Sequence, residues 1–136
     1  MTDTEWQAMP VRARDAFLAE HVEGWHWINL RDDPNCPIDY RSSDAKRLFP
    51  QHVNSWFTEF KEHGKYHTDP AAALRLLEKM WERCYWKADN KFGVTNVELY
   101  LRKGRTRVGM GRSEGTSMGD FCAAACSAVR QAVEGK

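Results

Sequence analysis

Arg105 and Arg107 stand two residues apart in a stretch, 102–112, that also holds Arg102, Lys103 and Arg112 and no acidic residue. Alternate residues of a strand share a face, so as a strand this stretch points Arg105 and Arg107 the same way, away from Val108. Two guanidiniums on one sheet face can fork onto phosphate or carboxylate oxygens. The same residues on an edge strand would serve instead to deter sheet-to-sheet association. A second anion-directed feature precedes Asp69: His63 and His67 bracket Gly64-Lys65-Tyr66 where a helix start would offer backbone N–H groups. Its plainer reading is a polar loop in which Thr68 and Asp69 act only as caps. Trp86 falls near an element end, where an indole can stack on a ring-bearing ligand. Arg102, Arg105, Arg107, His67 and Trp86 are therefore the expected ligand-binding set, for a small anionic ligand such as a cyclic nucleotide.

Other reactive side chains read as packing. Cys122 and Cys126 lie four apart and would share one helix face, a spacing that suits two zinc ligands. No Cys-x-x-Cys or His-x-x-x-His partner accompanies them, and small thiols on an Ala-rich face are the simpler account. Cys84 reads likewise. No flanking pattern supports a nucleophilic cysteine, so no metal, cofactor or catalytic residue is expected and the protein reads as non-enzymatic. Of the six tryptophans, Trp25, Trp27 and Trp81 hold periodic positions suited to a core. Trp6, Trp56 and Trp86 lie near element ends; Trp56, with Phe57 and Tyr40, makes the expected partner-binding set.

The chain has 136 residues, enough for one domain with a core of its own. Lys and Arg number 20 against 19 Asp and Glu, so the whole-molecule field gives no reason to expect direct DNA binding. The N-terminal stretch MTDTEWQAMPVRAR has no secretory apolar region, which points to a reducing cytoplasm, and no apolar run is long enough to span a membrane.

Several elements must position these groups. Thr4 and Gln7 match a capping box, and Pro10 separates that turn from a helix over 10–22 that Gly24 ends. Residues 25–30 (WHWINL) alternate as a strand. Residues 31–65 form a long excursion in one domain spanning 1–136; within it 43–48 suits a helical turn and 51–63 leans to helix. Asp69 caps a helix with Pro70 in its first turn, running to about residue 86 on the period of Leu74, Leu77, Trp81 and Cys84. Val97, Leu99 and Leu101 alternate with Asn96, Glu98 and Tyr100 in a strand. Lys103-Gly104 turns into a strand over 105–110, and Gly109, Gly111 and Gly115 then loosen the chain. Ser117 with Asp120 opens a final helix whose face is Phe121, Ala124, Ala125, Ala128, Val129 and Ala132. This predicts an α+β fold, a single-domain α/β/α-type sandwich with a small antiparallel sheet (25–30, 94–101 and 105–110) flanked by helices.

In order and spacing the chain resembles the phage ABA sandwich domain family, small proteins of tailed bacteriophages and prophages. The residues concerned are Ala8-Met9-Pro10, VEGWHW at 22–27, YHTDPAAALRLLEKM at 66–80 and FCAAACSAV at 121–129. The piece 31–65 exceeds the short connection such a domain would have. The resemblance implies a fold and a phage origin, and it supplies no catalytic residues. It suggests an accessory protein in the host cytoplasm that acts on host physiology or defence. Sequestration of a small anionic ligand such as a signalling nucleotide is the leading expectation. The alternative is a protein-binding inhibitor of a host defence complex, an anti-CRISPR role included, and either is compatible with a homo-oligomer.

Overall fold

Asp69 begins its helix as its residue type requires: the carboxylate accepts the Ala71 N–H at 3.1 Å, and Pro70 occupies the first turn, where its missing donor costs nothing. The computed structural model describes residues 1–29, 46–50 and 64–135. In chain order these comprise α1 (Asp3–Ala8), α2 (Val11–His21), β1 (His26–Asn29), β2 (Lys46–Phe49), α3 (Pro70–Lys79), β3 (Cys84–Lys91), β4 (Val94–Leu101), β5 (Arg107–Glu114) and α4 (Met118–Glu134). The fold is an α+β sandwich.

The strands form two antiparallel sheets, β1–β2 and β3–β4–β5. Sequence reasoning placed residues 25–30 in the main sheet; β1 pairs instead with β2, a segment expected to be a helical turn, whose Leu48 and Phe49 are buried. The helix expected over 70–86 stops at Lys79. The Met80 N–H is shared by the Leu76 and Leu77 carbonyls, and Cys84 bonds back to Met80 at 2.8 Å, so the chain reverses into β3. β3 returns as β4 through Phe92-Gly93, both with positive φ (58° and 73°), as a two-residue hairpin turn of the primed type requires.

α4 is the centre of the molecule. Its Ser117–Asp120 capping box forms as the sequence suggests, and its small residues let it lie on β4 and β5 with one side and on α3 and α2 with others. Gly109 and Gly111 do not loosen the chain: they stand inside β5, packed on the Ala128 and Ala124 backbone. Ala72, Ala73, Leu76 and Leu77 of α3, with Val97 and Leu99 of β4, complete the core around Cys84, Cys122, Cys126 and Val129. Each fully buried Leu stabilises the fold by about 1.5–3 kcal/mol relative to exposure.

Three expected core residues lie elsewhere. Leu74, Trp27 and Trp81 are exposed, because the buried stripe of α3 runs through its alanines and Leu76 rather than Leu74, and Trp81 follows the helix end. Trp6, which the sequence places near an element end, is fully buried against Phe17, with the Arg130 guanidinium over its ring. The N-terminal capping box uses Thr2 and Glu5 rather than Thr4 and Gln7. Arg130 of α4, itself buried, ties that helix to α1 through Asp3 and pairs with Glu134 one turn on.

Candidate functional site

Strand alternation gives the three-stranded sheet two unlike faces. Val97, Leu99, Gly109 and Gly111 face α4, whereas Tyr85, Lys87, Glu98, Tyr100, Arg107 and Met110 share the opposite, solvent-facing side. The register sets Tyr85 across from Tyr100 and Tyr100 across from Arg107. The two phenol rings stack at a centroid separation of 5.3 Å and 12° between planes. The Lys87 ammonium lies 5.5 Å from the Tyr100 ring centroid and 6.0 Å from that of Tyr85. A cation over ring faces is held by the ring quadrupole, weakly at an exposed site.

Around this pair the polar groups are linked. Tyr100 donates its hydroxyl to the Glu98 carboxylate, which raises the phenol above its ordinary pKa, burial adding to the effect. Arg107 lies 3.8 Å from Glu98 and reaches the Met110 sulfur at 3.5 Å. An exposed ion pair of this kind contributes little, so Arg107 can exchange Glu98 for an incoming anion at small cost. At the same end of the sheet the Arg102 guanidinium stacks 4.2 Å above the Trp81 ring, donates to the Trp81 carbonyl at 2.5 Å, and its backbone N–H bonds Arg83. Arg83, Arg102, Lys103, Arg105 and Arg107 therefore gather at one end of the open face, all exposed.

Sequence reasoning chose part of this cluster. Arg102, Arg105 and Arg107 are in it. Arg105 does not share a strand face with Arg107, because β5 starts at Arg107 and Arg105 sits in the preceding loop with φ 54°. Trp86 points the other way, half-buried against Phe121 at 6.2 Å. Tyr40, Trp56 and Phe57 lie outside the described residues. Tyr85 and Tyr100 were missed: their pairing depends on the β3–β4 register, and residues 84–86 continue a helical period in the sequence.

His67 is turned inward rather than toward an anion in front of α3. Its Nδ1 lies 2.6 Å from Asp15 Oδ1, and its backbone N–H donates to the same oxygen at 3.3 Å, both side chains being buried. The contact joins α2 to the turn before α3. Its Nε2 is buried without a hydrogen-bond partner among the described residues, beside the Trp6 ring. His63 lies outside the described residues. Cys84, Cys122 and Cys126 are buried, and burial pushes the thiols of Cys84 and Cys122 up and that of Cys126 well up. A thiol held protonated in this way is a packing group rather than a nucleophile. Among the described residues no group of three or more His, Cys, Asp and Glu side chains is arranged to hold a metal ion. None of the described helices is long and apolar enough to cross a membrane.

A shallow groove of about 250 Å³ opens at the far end of β3, between Ala88, Asp89 and Asn90 and the start of α4 at Ser117 and Met118. Asp89 lines it and the Asp120 carboxylate already accepts the Ser117 N–H there, so the groove does not suit an anion. No family model matches the chain, and no curated protein or solved structure matches it.

Proposed function

We propose that the protein is a non-catalytic binder that holds a ring-bearing anion, such as a signalling nucleotide, on the open face of its three-stranded sheet. The supporting observation is the Tyr85–Tyr100 stack with Lys87 over both rings and Arg107 one strand away. A planar base can extend the stack, an interaction worth about 1–3 kcal/mol per base. Its phosphate then meets Lys87, Arg107 and Arg102, whose charge-assisted bonds contribute roughly 1.5–3 kcal/mol each. The resemblance to the phage ABA sandwich domain family supports the setting: a phage accessory protein in the host cytoplasm that removes a nucleotide signal from host physiology or defence.

Calorimetry with a panel of mononucleotides and cyclic nucleotides tests this reading. Saturable binding to the parent, lost at least tenfold in Arg102→Ala with Arg107→Ala and in Tyr100→Ala, is the expected result. Absence of binding across the panel would overturn it. One observation favours a protein ligand instead. Trp81, 54% exposed, and Met110, 36% exposed, have the residue character of interface anchors and lie at the same open face and its end. A native mass spectrum of protein purified from infected cells separates the two, showing either a bound small molecule or a host polypeptide.

A further inference from the structure

β3 is an edge strand eight residues long, and among the described residues no strand pairs with its outer edge. Lys87, Ala88, Asp89, Asn90 and Lys91 are all exposed. An unpaired edge of this length is a template for a further strand unless its side chains oppose pairing. The side chains here have a particular order, Tyr85-Trp86-Lys87-Ala88-Asp89-Asn90-Lys91. Read about Ala88, that order complements itself.

We infer that two copies of the chain associate by antiparallel pairing of their β3 edges about a two-fold axis at Ala88, joining two three-stranded sheets into one. Residues directly opposite each other in an antiparallel pair lie on the same face. A two-fold axis perpendicular to the sheet must therefore cross at a residue, so that open face adjoins open face. Three such centres keep most of β3 paired. At Lys87 the two copies of Lys87 meet. At Asp89 the two copies of Asp89 meet and Lys87 faces Lys91. At Ala88 each Lys87 faces the Asp89 of the other copy, each Tyr85 faces a Lys91, each Trp86 faces an Asn90, and the small Ala88 pair sits on the axis. Like charges directly opposite destabilise a pair and unlike charges stabilise it, so one register is selected and its neighbours are rejected. Within its own sheet Asp89 accepts from Asn96 at Oδ1, at 3.4 Å.

The hairpin tip gives independent support. Phe92 is 101% exposed and holds a left-handed backbone, φ 58°, where an asparagine or glycine would be unstrained. Among the described residues nothing accounts for a phenyl ring there. In the Ala88-centred pair, Phe92 comes opposite Cys84 of the other copy, at the end of β3. The association therefore brings the ring that the monomer leaves in water against the other copy.

Sedimentation velocity on the full chain tests the inference. The parent is expected to run as a concentration-dependent dimer in the micromolar range. Asp89→Lys sets lysine against lysine across the axis and should weaken the dimer at least tenfold. Lys87→Asp combined with Asp89→Lys restores the complementarity and should restore the dimer. Phe92→Asn should raise the melting temperature and weaken the dimer together, opposite signs that a merely structural residue would not give. Ala88→Cys should form a disulfide-linked dimer on mild oxidation that the parent does not form, which keeps the register testable if a charge variant folds poorly. A parent that stays monomeric at about 100 µM, far above micromolar affinities, overturns the inference. So does a dimer that Asp89→Lys leaves intact.

Discussion

Gly111 of β5 lies directly against the Ala124 backbone of α4, so that a β-carbon at position 111 would occupy the space of the Ala124 carbonyl oxygen. Gly109 stands in the same relation to Ala128 one helical turn on. Two glycines on one strand face and two alanines four apart on the helix set the distance between sheet and helix, and with it the density of the core.

Gly111→Ala should therefore destabilise the protein by at least about 3 kcal/mol, at the upper end for overpacked cores, because the obstacle is backbone and cannot rotate aside. Gly119→Ala, whose new β-carbon meets only the Ser117 hydroxyl at 3.6 Å, should leave stability unchanged or raise it slightly. Urea denaturation of the two variants beside the parent checks the pair. Equal stability of both variants would mean that β5 and α4 are not packed in this register.

Leu77 is fully buried and Leu74 is 39% exposed on the same helix. Truncation of Leu77 to Ala should cost about 2–5 kcal/mol through lost transfer energy and a cavity. Leu74→Ala should stay within about 0.5 kcal/mol, as surface substitutions usually do. Thermal melts of the two single variants decide which face of α3 meets the core.

Asp120 accepts the hydroxyls of Ser113 and Ser117, both at 2.6 Å, and the Ser117 N–H at 3.1 Å. These bonds favour the carboxylate and hold its pKa below the ordinary value in the folded state, the Ser113 bond most. A depressed folded pKa contributes stability that is present above the unfolded carboxylate pKa of about 4 and is lost as pH falls through the folded value. The stability gap between the parent and Asp120→Asn should thus be full at neutral pH and close progressively below about pH 4. Denaturation midpoints measured across that range check the sign; a gap independent of pH would show that the charge is not what Ser113 and Ser117 bind.

The caps and the alternating strand were legible because their causes are local. Asp69-Pro70 and Ser117 with Asp120 satisfy backbone groups within a few residues of themselves, and the Val97, Leu99 alternation follows from the pleat of β4. The mixed α+β class followed from those elements, as did the packing role of the alanines in α4. The limits of α3 were not legible: Trp81 and Cys84 prolong its period in the sequence, while in the fold Trp81 is exposed under Arg102, a partner 21 residues away, and Cys84 starts a strand.

What only tertiary structure decided is which side chains meet across segments. The inward turn of His67 depends on Asp15, which lies 52 residues earlier. The separation of β1 from the main sheet depends on its pairing with β2. The Tyr85–Tyr100 stack depends on the register of two strands, one of which begins in residues that read as helix. Capping and amphipathic period act over one or two turns of chain and can be read in order. Pairing, burial and ring stacking depend on distances in space, which the order of residues does not state.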